Sequence, residues 1–472
     1  MNLPPLFQQS LDSLSQLYYE KYPTTDNDFD TFKKYAEENY NLSHQGEKHI
    51  ASLIETTTKA YEQHTDKFVR VVMCNIPGSI LPQNTFGNIT DITVHGLNNR
   101  AIKRGDLKIT DEAGDPSKDD YAYNLFPDLQ KYIPRGLSIC KIYSENEKFY
   151  DFCIFGAKKF TGASSQDDDD NINTRGKKYE IQNFERKDKI IVMEKINGEA
   201  LHVGGRYIRD TFYYFVGSKK NHIMIRNEDD IELYTLDRLV HAKTFAKIFM
   251  KFLHTLSHDE NQILKNLLHY TKCTVGCEIL QPNYQHVVYI SENEPTIVFL
   301  IFTSPFNNDN TLTAFPPHIA CKVMQALGFI TAPYKIQDNE SEIINKTRRN
   351  ENSEGVVMYY LNENNETICL LKVKTFWYTF LRALREKLVY YVAQKTPNND
   401  TIKEKINKRF DEIFKSFAVG DPNILARFKE FANLFVDWFN KTHLGWCKAN
   451  CVKSQFPIIY RQFLEQNKLD GC

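Results

Sequence analysis

Met193-Glu194-Lys195-Ile196-Asn197-Gly198-Glu199 closes an apolar run, Ile190 to Met193, that reads as a β-strand. A lysine at a strand end, just before a polar residue and a glycine, has a specific chemical use. Its amine can attack a phosphorus atom and form a phosphoramidate. The same residues also describe a surface lysine entering a turn, so the meaning depends on the downstream residues and their order.

At 472 residues and 42% hydrophobic content the chain can bury a full core, enough for two or three domains. Lys+Arg 59 against Asp+Glu 60 leaves it neutral overall, so a polyanionic partner has to be met by a local patch. The ten cysteines are scattered, and no apolar run reaches the ~18 residues of a membrane span. Met1-Asn2-Leu3-Pro4-Pro5 lacks the charged and apolar regions of a signal peptide. The expectation is a reducing compartment, cytoplasm or nucleus, with no membrane partner. Cys273/Cys277 and Cys447/Cys451 are each separated by three residues. That is not the two- or four-residue spacing of a zinc knuckle, so zinc is not expected.

Outward from the centre, residues 1–66 read as a helical extension with a packing role, from the stripes Leu11, Leu14, Leu17, Tyr18 and Ile50, Leu53, Ile54. Strands begin at Lys67, and a turn-rich stretch runs from Asn84 to Asp119. Arg135-Gly136 precedes the strand Leu137 to Tyr143, and Lys159-Phe160 follows the strand Phe152 to Phe155. The acidic run Gln166 to Asn171 reads as a mobile surface loop, because adjacent carboxylates repel and solvate.

After Lys195, the strand Phe212 to Val216 ends in Gly217-Ser218-Lys219-Lys220, basic residues at the edge of the same pocket. Helices follow over 234–270. Glu278 stands in the strand Thr274 to Leu280 among residues that favour burial, and His286 to Ile290 follows a turn. A buried carboxylate needs a partner, either the ribose hydroxyls of a nucleotide or a core arginine. The strand Ile297 to Phe302 offers Phe299 or Phe302 for stacking on a purine, with core packing as the alternative. Glu354-Gly355 again puts a carboxylate before a glycine and a strand. Lys372 and Lys374, two apart on one strand, point the same way. Their ammonium groups repel unless an anion lies between them, and a triphosphate fits that need.

The order Lys195-x-Asn197-Gly198, Glu278, Val298 to Phe302, Glu354-Gly355, Lys372-x-Lys374 resembles the collinear motifs of covalent nucleotidyltransferases. Within them it looks most like the T4 RNA ligase 1-like enzymes, ATP-dependent ligases that repair tRNA. Arg135-Gly136, Lys159-Phe160 and Gly217-Ser218-Lys219 stand where that family has its Arg-Gly, Lys-Phe and Ser-Lys elements. The likeness covers roughly residues 130–380. It departs at Glu199, where a small hydroxylated residue is usual, and at Thr161, where an aromatic is common. The resemblance implies an α+β adenylyltransferase domain of antiparallel sheets flanked by helices, here residues 67–380. Lys195 would take AMP from ATP, pass it to an RNA 5′-phosphate, and a 3′-hydroxyl would displace it. It further implies that Lys372, Lys374 and Glu354 act in catalysis and that Glu354 and Glu278 hold Mg²⁺, or Mn²⁺ in its place. Glu194, Asn197, Gly198, Arg135, Lys159, Phe160, Lys219, Glu278 and Phe299 would bind the nucleotide. A lysine near its ordinary pKa of about 10.4 is protonated, so its pKa must be lowered, or a metal-organised state must favour the amine.

After Lys374 the chain reads as helices, Phe376 to Gln394, Asp400 to Phe417, Leu425 to Thr442 and Ile458 to Leu469, rather than the short strands of an OB-fold, with residues 381–472 as a C-terminal helical RNA-binding domain. Asp421-Pro422 reads as a cap with a first-turn proline. The segment carries 16 Lys+Arg and 10 Asp+Glu, an excess of six positives. Arg382, Arg385, Lys387, Lys403, Lys405, Lys408 and Arg409 lie among Tyr390, Tyr391 and Phe410, which suits a phosphate backbone with splayed bases. There is no phosphate loop and no pair of His-x-Thr motifs, so end-healing kinase and phosphatase or phosphodiesterase activities would come from other proteins. A monomer acting on tRNA halves or other broken RNA is expected. A non-catalytic RNA-binding protein that keeps the fold is the other reading.

Overall fold

A computed structural model describes residues 3–23, 26–65, 67–97, 116–145, 148–164, 167, 180–181, 186–394, 397–417, 422–445 and 447–469. The N-terminal stripes fold into α1 (Pro5–Lys21), α2 (Asp28–Ser43) and α3 (Glu47–Glu62). Phe7, Leu11, Leu14 and Tyr18 of α1 and Phe29 and Phe32 of α2 sink into the main core, so these helices belong to the body of the protein.

The strands β1 (Val69–Asn75) and β2 (Phe86–Val94) come next, then α4 (Asp119–Leu125), α5 (Pro127–Tyr132), β3 (Leu137–Tyr143) and β4 (Lys148–Phe155). The four strands form an antiparallel sheet in the order β1-β2-β3-β4. The stretch after Asn84, expected to be broken by turns, supplies the whole of β2 because Ile89 and Ile92 are buried. Residues 98–115 of that stretch lie outside the described residues.

The chain then runs through β5 (Thr161–Gly162), β6 (Lys189–Glu194), β7 (Glu199–Ile208), β8 (Thr211–Gly217), β9 (His222–Ile225), α6 (Asp229–Glu232), α7 (Val240–Leu253) and α8 (His258–Thr271). After these come β10 (Thr274–Leu280), β11 (Thr296–Thr303), α9 (Pro317–Ala326), β12 (Ile330–Thr331), β13 (Tyr334–Gln337), α10 (Glu340–Arg349), β14 (Gly355–Leu361) and β15 (Thr367–Lys374). They build a second sheet, β12-β11-β10-β7-β8-β9, and a third, β13-β6-β14-β15-β5. Pairing is antiparallel except at the short strands β12 and β5. The architecture is α+β. His286 to Ile290 is not a strand. Val287 instead enters the core of the C-terminal helices, which draws this segment away from the sheet.

Those helices are α11 (Phe376–Val392), α12 (Asn399–Ser416), α13 (Pro422–Thr442) and α14 (Ala449–Asn467). They share their own apolar core. Pro422 opens α13 as a first-turn proline, while Asp421 lies outside the described residues. The last helix begins at Ala449, well before Ile458, with Pro457 inside it. Burial of Phe456, Ile459, Tyr460 and Phe463 outweighs the hydrogen bond that the proline forfeits.

One buried cation locks the first sheet to the second. Arg206 of β7 is 2% exposed and donates to Asp151 of β4 at 3.1 Å, to the Phe152 carbonyl at 2.8 Å and to the Leu268 carbonyl at 3.1 Å. A core arginine was one candidate partner for Glu278; this one serves Asp151 instead. Arg206→Met leaves Asp151 with Lys272 alone, at 2.9 Å, and takes a donor from the buried Phe152 and Leu268 carbonyls. The expected loss is about 3 to 5 kcal/mol, seen as a fall of several degrees in the thermal midpoint. An unchanged midpoint would show that the lock carries no stability.

Candidate functional site

A cleft of about 330 Å³ opens between the second and third sheets, within the range of small-molecule sites. One wall is the end of β6 with β14 and β15, and the other is β7, β10 and β11. The loop carrying Arg135 and the segment from Gly156 to Phe160 close one end. Arg135, Lys159, Phe160, Glu194, Lys195, Lys219, Glu278, Glu354, Lys372 and Lys374 all line it. These residues are far apart in sequence; pairing of β6 with β14, and of β14 with β15, brings the central ones together. Val356 stands opposite both Glu194 and Val373, so Lys195 and Lys374 leave the same edge of the sheet.

Lys195 follows β6, where its backbone N–H donates to the Gly355 carbonyl at 2.9 Å. Its Nζ lies 2.8 Å from Glu354 Oε1, with the lysine side chain 25% exposed and the glutamate 6%. Burial alone would pull the amine down, but Glu354 and Glu278 outweigh it and raise the Lys195 pKa. Burial alone would lift Glu354, and the Lys195 and Lys374 ammonium groups hold it below the ordinary glutamate value. Glu278 goes the other way: burial raises it, against the pull of Lys219 and Lys195. A lowered Lys195 pKa or a metal-organised state is what the sequence leads one to expect; the two carboxylates shift it upward. The carboxylates beside the amine store it as ammonium.

Asn197 and Gly198 do not face the cleft. The Asn197 side chain donates to Glu354 Oε2 at 2.8 Å, and its Oδ1 accepts the Val287 and Val288 N–H groups at 3.1 Å each. It therefore fixes the carboxylate that holds Lys195. The Gly198 N–H donates to Glu278 Oε1 at 3.1 Å, and a Cβ there would fall 2.2 Å from the Ile279 carbonyl oxygen. Only glycine lets β7 approach β10 at this point. A second glycine, Gly136, has φ +103°, and a Cβ would meet the His202 ring at 2.2 Å. The His202 ring fills that space, against Gly136 and Gly156, and is held well below its ordinary pKa by burial, then by His222 and Lys219.

Phe299 is not in the site. It is fully buried, with its ring 5.0 Å from Phe302 in the main core, because β11 turns Leu300 and Ile301 to the cleft instead. The aromatic surfaces that do line the cleft are Phe160, with the Lys372 Nζ 5.8 Å above its ring, and Tyr359. Glu199 and Thr161 lie off the cleft lining; Glu199 accepts from Gln281 at 2.5 Å and Thr161 is buried in β5.

Two acidic elements escape a reading of the sequence alone. Asp119 and Asp120, at the start of α4, bind Arg135 at 2.7 Å and Lys159 at 2.5 Å. Burial opposes the Asp119 charge, but Arg135 and Lys159 hold its carboxyl well below the usual range. Asp167, from the acidic run expected to be a mobile surface loop, is buried, because Arg348 pairs with it at 2.5 Å. Its Oδ1 also accepts the Lys374 N–H at 2.7 Å, and Arg348 donates to the Lys374 carbonyl at 2.6 Å. The pair clamps the backbone of Lys374 from both sides. The other acidic residues of that run lie outside the described residues. No patterned spacing marks Asp119, Asp167 or Arg348, since each acts through a contact distant in sequence.

Among the described residues no group of three or more His, Cys, Asp or Glu side chains forms a metal site. Cys273 and Cys277 are buried thiols; burial pushes Cys273 up to about 12. Glu354 and Glu278 are oxygen donors on one cleft, which suits a hard cation that takes its remaining ligands from phosphate. No family model matches the sequence, and no curated protein or solved structure matches it.

The two shifts have opposite signs. The raised Lys195 pKa adds stability below the ordinary lysine value that is lost as pH rises through the folded one. The depressed Glu354 pKa adds stability above the ordinary glutamate value that is lost as pH falls through the folded one. The pair therefore stays charged throughout the interval between. Glu354→Gln removes the chief raising charge, so Lys195 should react several-fold faster with an amine-selective acylating reagent below pH ~10. Peptide mapping by mass spectrometry reads the rate; a slower or equal rate would contradict the assignment.

Proposed function

We propose that this chain is an ATP-dependent RNA ligase, of the covalent nucleotidyltransferase kind and similar to the T4 RNA ligase 1-like enzymes, that joins 5′-phosphate to 3′-hydroxyl RNA ends. The observation that carries the reading is the convergence of Lys195, Glu278, Glu354, Lys372 and Lys374 on one cleft from separate stretches of sequence. A binding module has no need of all five.

In this reading ATP lies between the two sheets. Glu278, whose charge burial disfavours, accepts from the ribose hydroxyls, and Phe160 or Tyr359 gives the base an apolar face. Lys372 and Lys374 sit where negative charge gathers on the α-phosphate, with Arg135, Lys159 and Lys219 along the same cleft. Mg²⁺, held by Glu354, would supply electrophilic assistance to the phosphate oxygens. Lys195 must lose its proton and its hold on Glu354 before it attacks; Asn197 keeps the carboxylate in place as the amine departs. A new P–N bond to Lys195 forms as the bond to pyrophosphate breaks.

The RNA falls to the C-terminal helices and the surfaces around the cleft. Tyr391 and Phe410 are core residues there, so stacking is left to Tyr390, which is 57% exposed with the Lys405 Nζ 5.3 Å over its ring. Several of the basic residues are paired at rest: Arg382 with Glu386 at 3.0 Å, Lys403 with Asp437 at 2.6 Å and Arg409 with Glu412 at 3.2 Å. Among the described residues no helix is long and apolar enough to cross a membrane. Tyrosyl and lysyl surface of this kind is sequence-tolerant, which fits RNA ends of varied context.

Incubated with ATP and Mg²⁺, the protein should circularise or join a single-stranded RNA with a 5′-phosphate and a 3′-hydroxyl, and leave a 5′-hydroxyl RNA unchanged. Lys372→Ala and Lys374→Ala should each lower the rate by about 10² to 10³. Joining confined to a nicked duplex would exclude the tRNA-repair assignment, and binding without joining would favour a non-catalytic RNA-binding protein.

A further inference from the structure

Arg385 of α11 is partly buried, yet among the described residues its guanidinium has no carboxylate in a salt bridge with it. Its hydrogen bond goes to the His286 carbonyl, which accepts from Nη1 at 3.0 Å. Arginine stays charged in proteins, so this is a fixed positive charge. Burial works against it most; Tyr378 and Glu386 favour it, and Arg382 opposes it. Arg382 and Arg385 lie three apart on one helix and so share a face, where like charges repel. The nearby carboxylate of Glu386 is taken by Arg382 at 3.0 Å. With Glu386 held by Arg382, an incoming anion beside the two guanidinium groups would give Arg385 the directly bonded anionic partner it lacks among the described residues.

Their position relative to Lys195 decides which anion. Arg382 is close enough to weaken the hold of Lys195 on its proton, and His286 feels Glu354 and Lys195 as well as Arg385. Asn197 closes the link, since it binds Glu354 on one side and the Val287 and Val288 N–H groups, next to His286, on the other. Neither arginine lines the cleft assigned to ATP. The charges therefore border the nucleophile from outside the nucleotide pocket, where a second phosphate has to arrive.

The geometry points to Arg385, with Arg382, as the subsite that binds the terminal 5′-phosphate of the donor RNA strand for the second chemical step. This rests on the ligase reading above. In that step an oxygen of the RNA 5′-phosphate attacks the phosphorus of the Lys195 adenylate. The new P–O bond forms as the P–N bond breaks; the electron pair returns to Lys195 Nζ, which takes up a proton. The rival source of the same chemistry is the outer phosphates of ATP.

The test separates the two half-reactions in the full chain. Arg385→Ala is charged with ATP labelled on the α-phosphate, and label on Lys195 is counted. The charged protein is then given a 5′-phosphorylated RNA, and label reaching the RNA is timed. The subsite predicts lysyl-adenylate formation close to wild type and transfer to RNA slowed by about ten- to a hundred-fold, with Arg385→Lys between the two. Retained charging also shows that the variant folds. Transfer at the wild-type rate overturns the subsite and leaves the ligase reading standing. A loss of charging equal to the loss of transfer overturns it in favour of ATP's outer phosphates. A wild-type chain that takes no label overturns the ligase reading, and the subsite with it.

Discussion

The structure turns on one ion pair, Lys195 to Glu354 at 2.8 Å, at the point where two sheets meet. An amine in such a place is useful only if its proton can be held and then released. The carboxylate holds it at rest and raises its pKa. Anything that takes over the carboxylate frees the amine. A cation at Glu354 would do so, and the flanking Lys374 already draws on the same charge. The pair thus behaves as a stored state, and the surrounding fold keeps its two halves in register. Lys195 is fixed through the Gly355 carbonyl and Glu354 through Asn197.

The clamp formed by Asp167 and Arg348 extends this outward. Arg348 binds Lys374 and Asp167 through its guanidinium, which lies 4.4 Å from the Phe417 ring centroid at the end of α12. Asn197 reaches Tyr378 of α11 at 3.4 Å as well as Glu354. Two independent links therefore run from the cleft to the C-terminal helices. If those helices hold RNA, as proposed, their position is communicated to both lysine-bearing strands through short, buried contacts. This gives the helical segment a reason to follow directly on β15.

Much of the α+β framework was legible in the residues. Apolar runs such as Thr274 to Leu280 and Leu137 to Tyr143 appear as strands with those same bounds, because they are short and rich in residues that favour strands. Glycine also left a readable trace: Gly136 and Gly198 stand beside predicted site residues because a side chain would strike His202 or the Ile279 carbonyl. Phe299 was not legible, since the choice between core and cleft depends on which face of β11 looks inward, and alternation alone does not say which. Asp167 was hidden for a different reason. A run of carboxylates favours solvent by composition, and only a distant arginine reverses that preference for one member. The same holds for Pro457, whose local penalty is outweighed by aromatic packing that the local sequence does not reveal.

The central claim is that the Lys195 amine, once released from Glu354, bonds to adenylate. The most direct measurement is intact-mass and peptide-level mass spectrometry of the protein after incubation with ATP and Mg²⁺. The account predicts a single AMP adduct on Lys195, reversed by pyrophosphate and absent in Lys195→Ala. An unmodified protein, or an adduct on another residue that persists in Lys195→Ala, would contradict it.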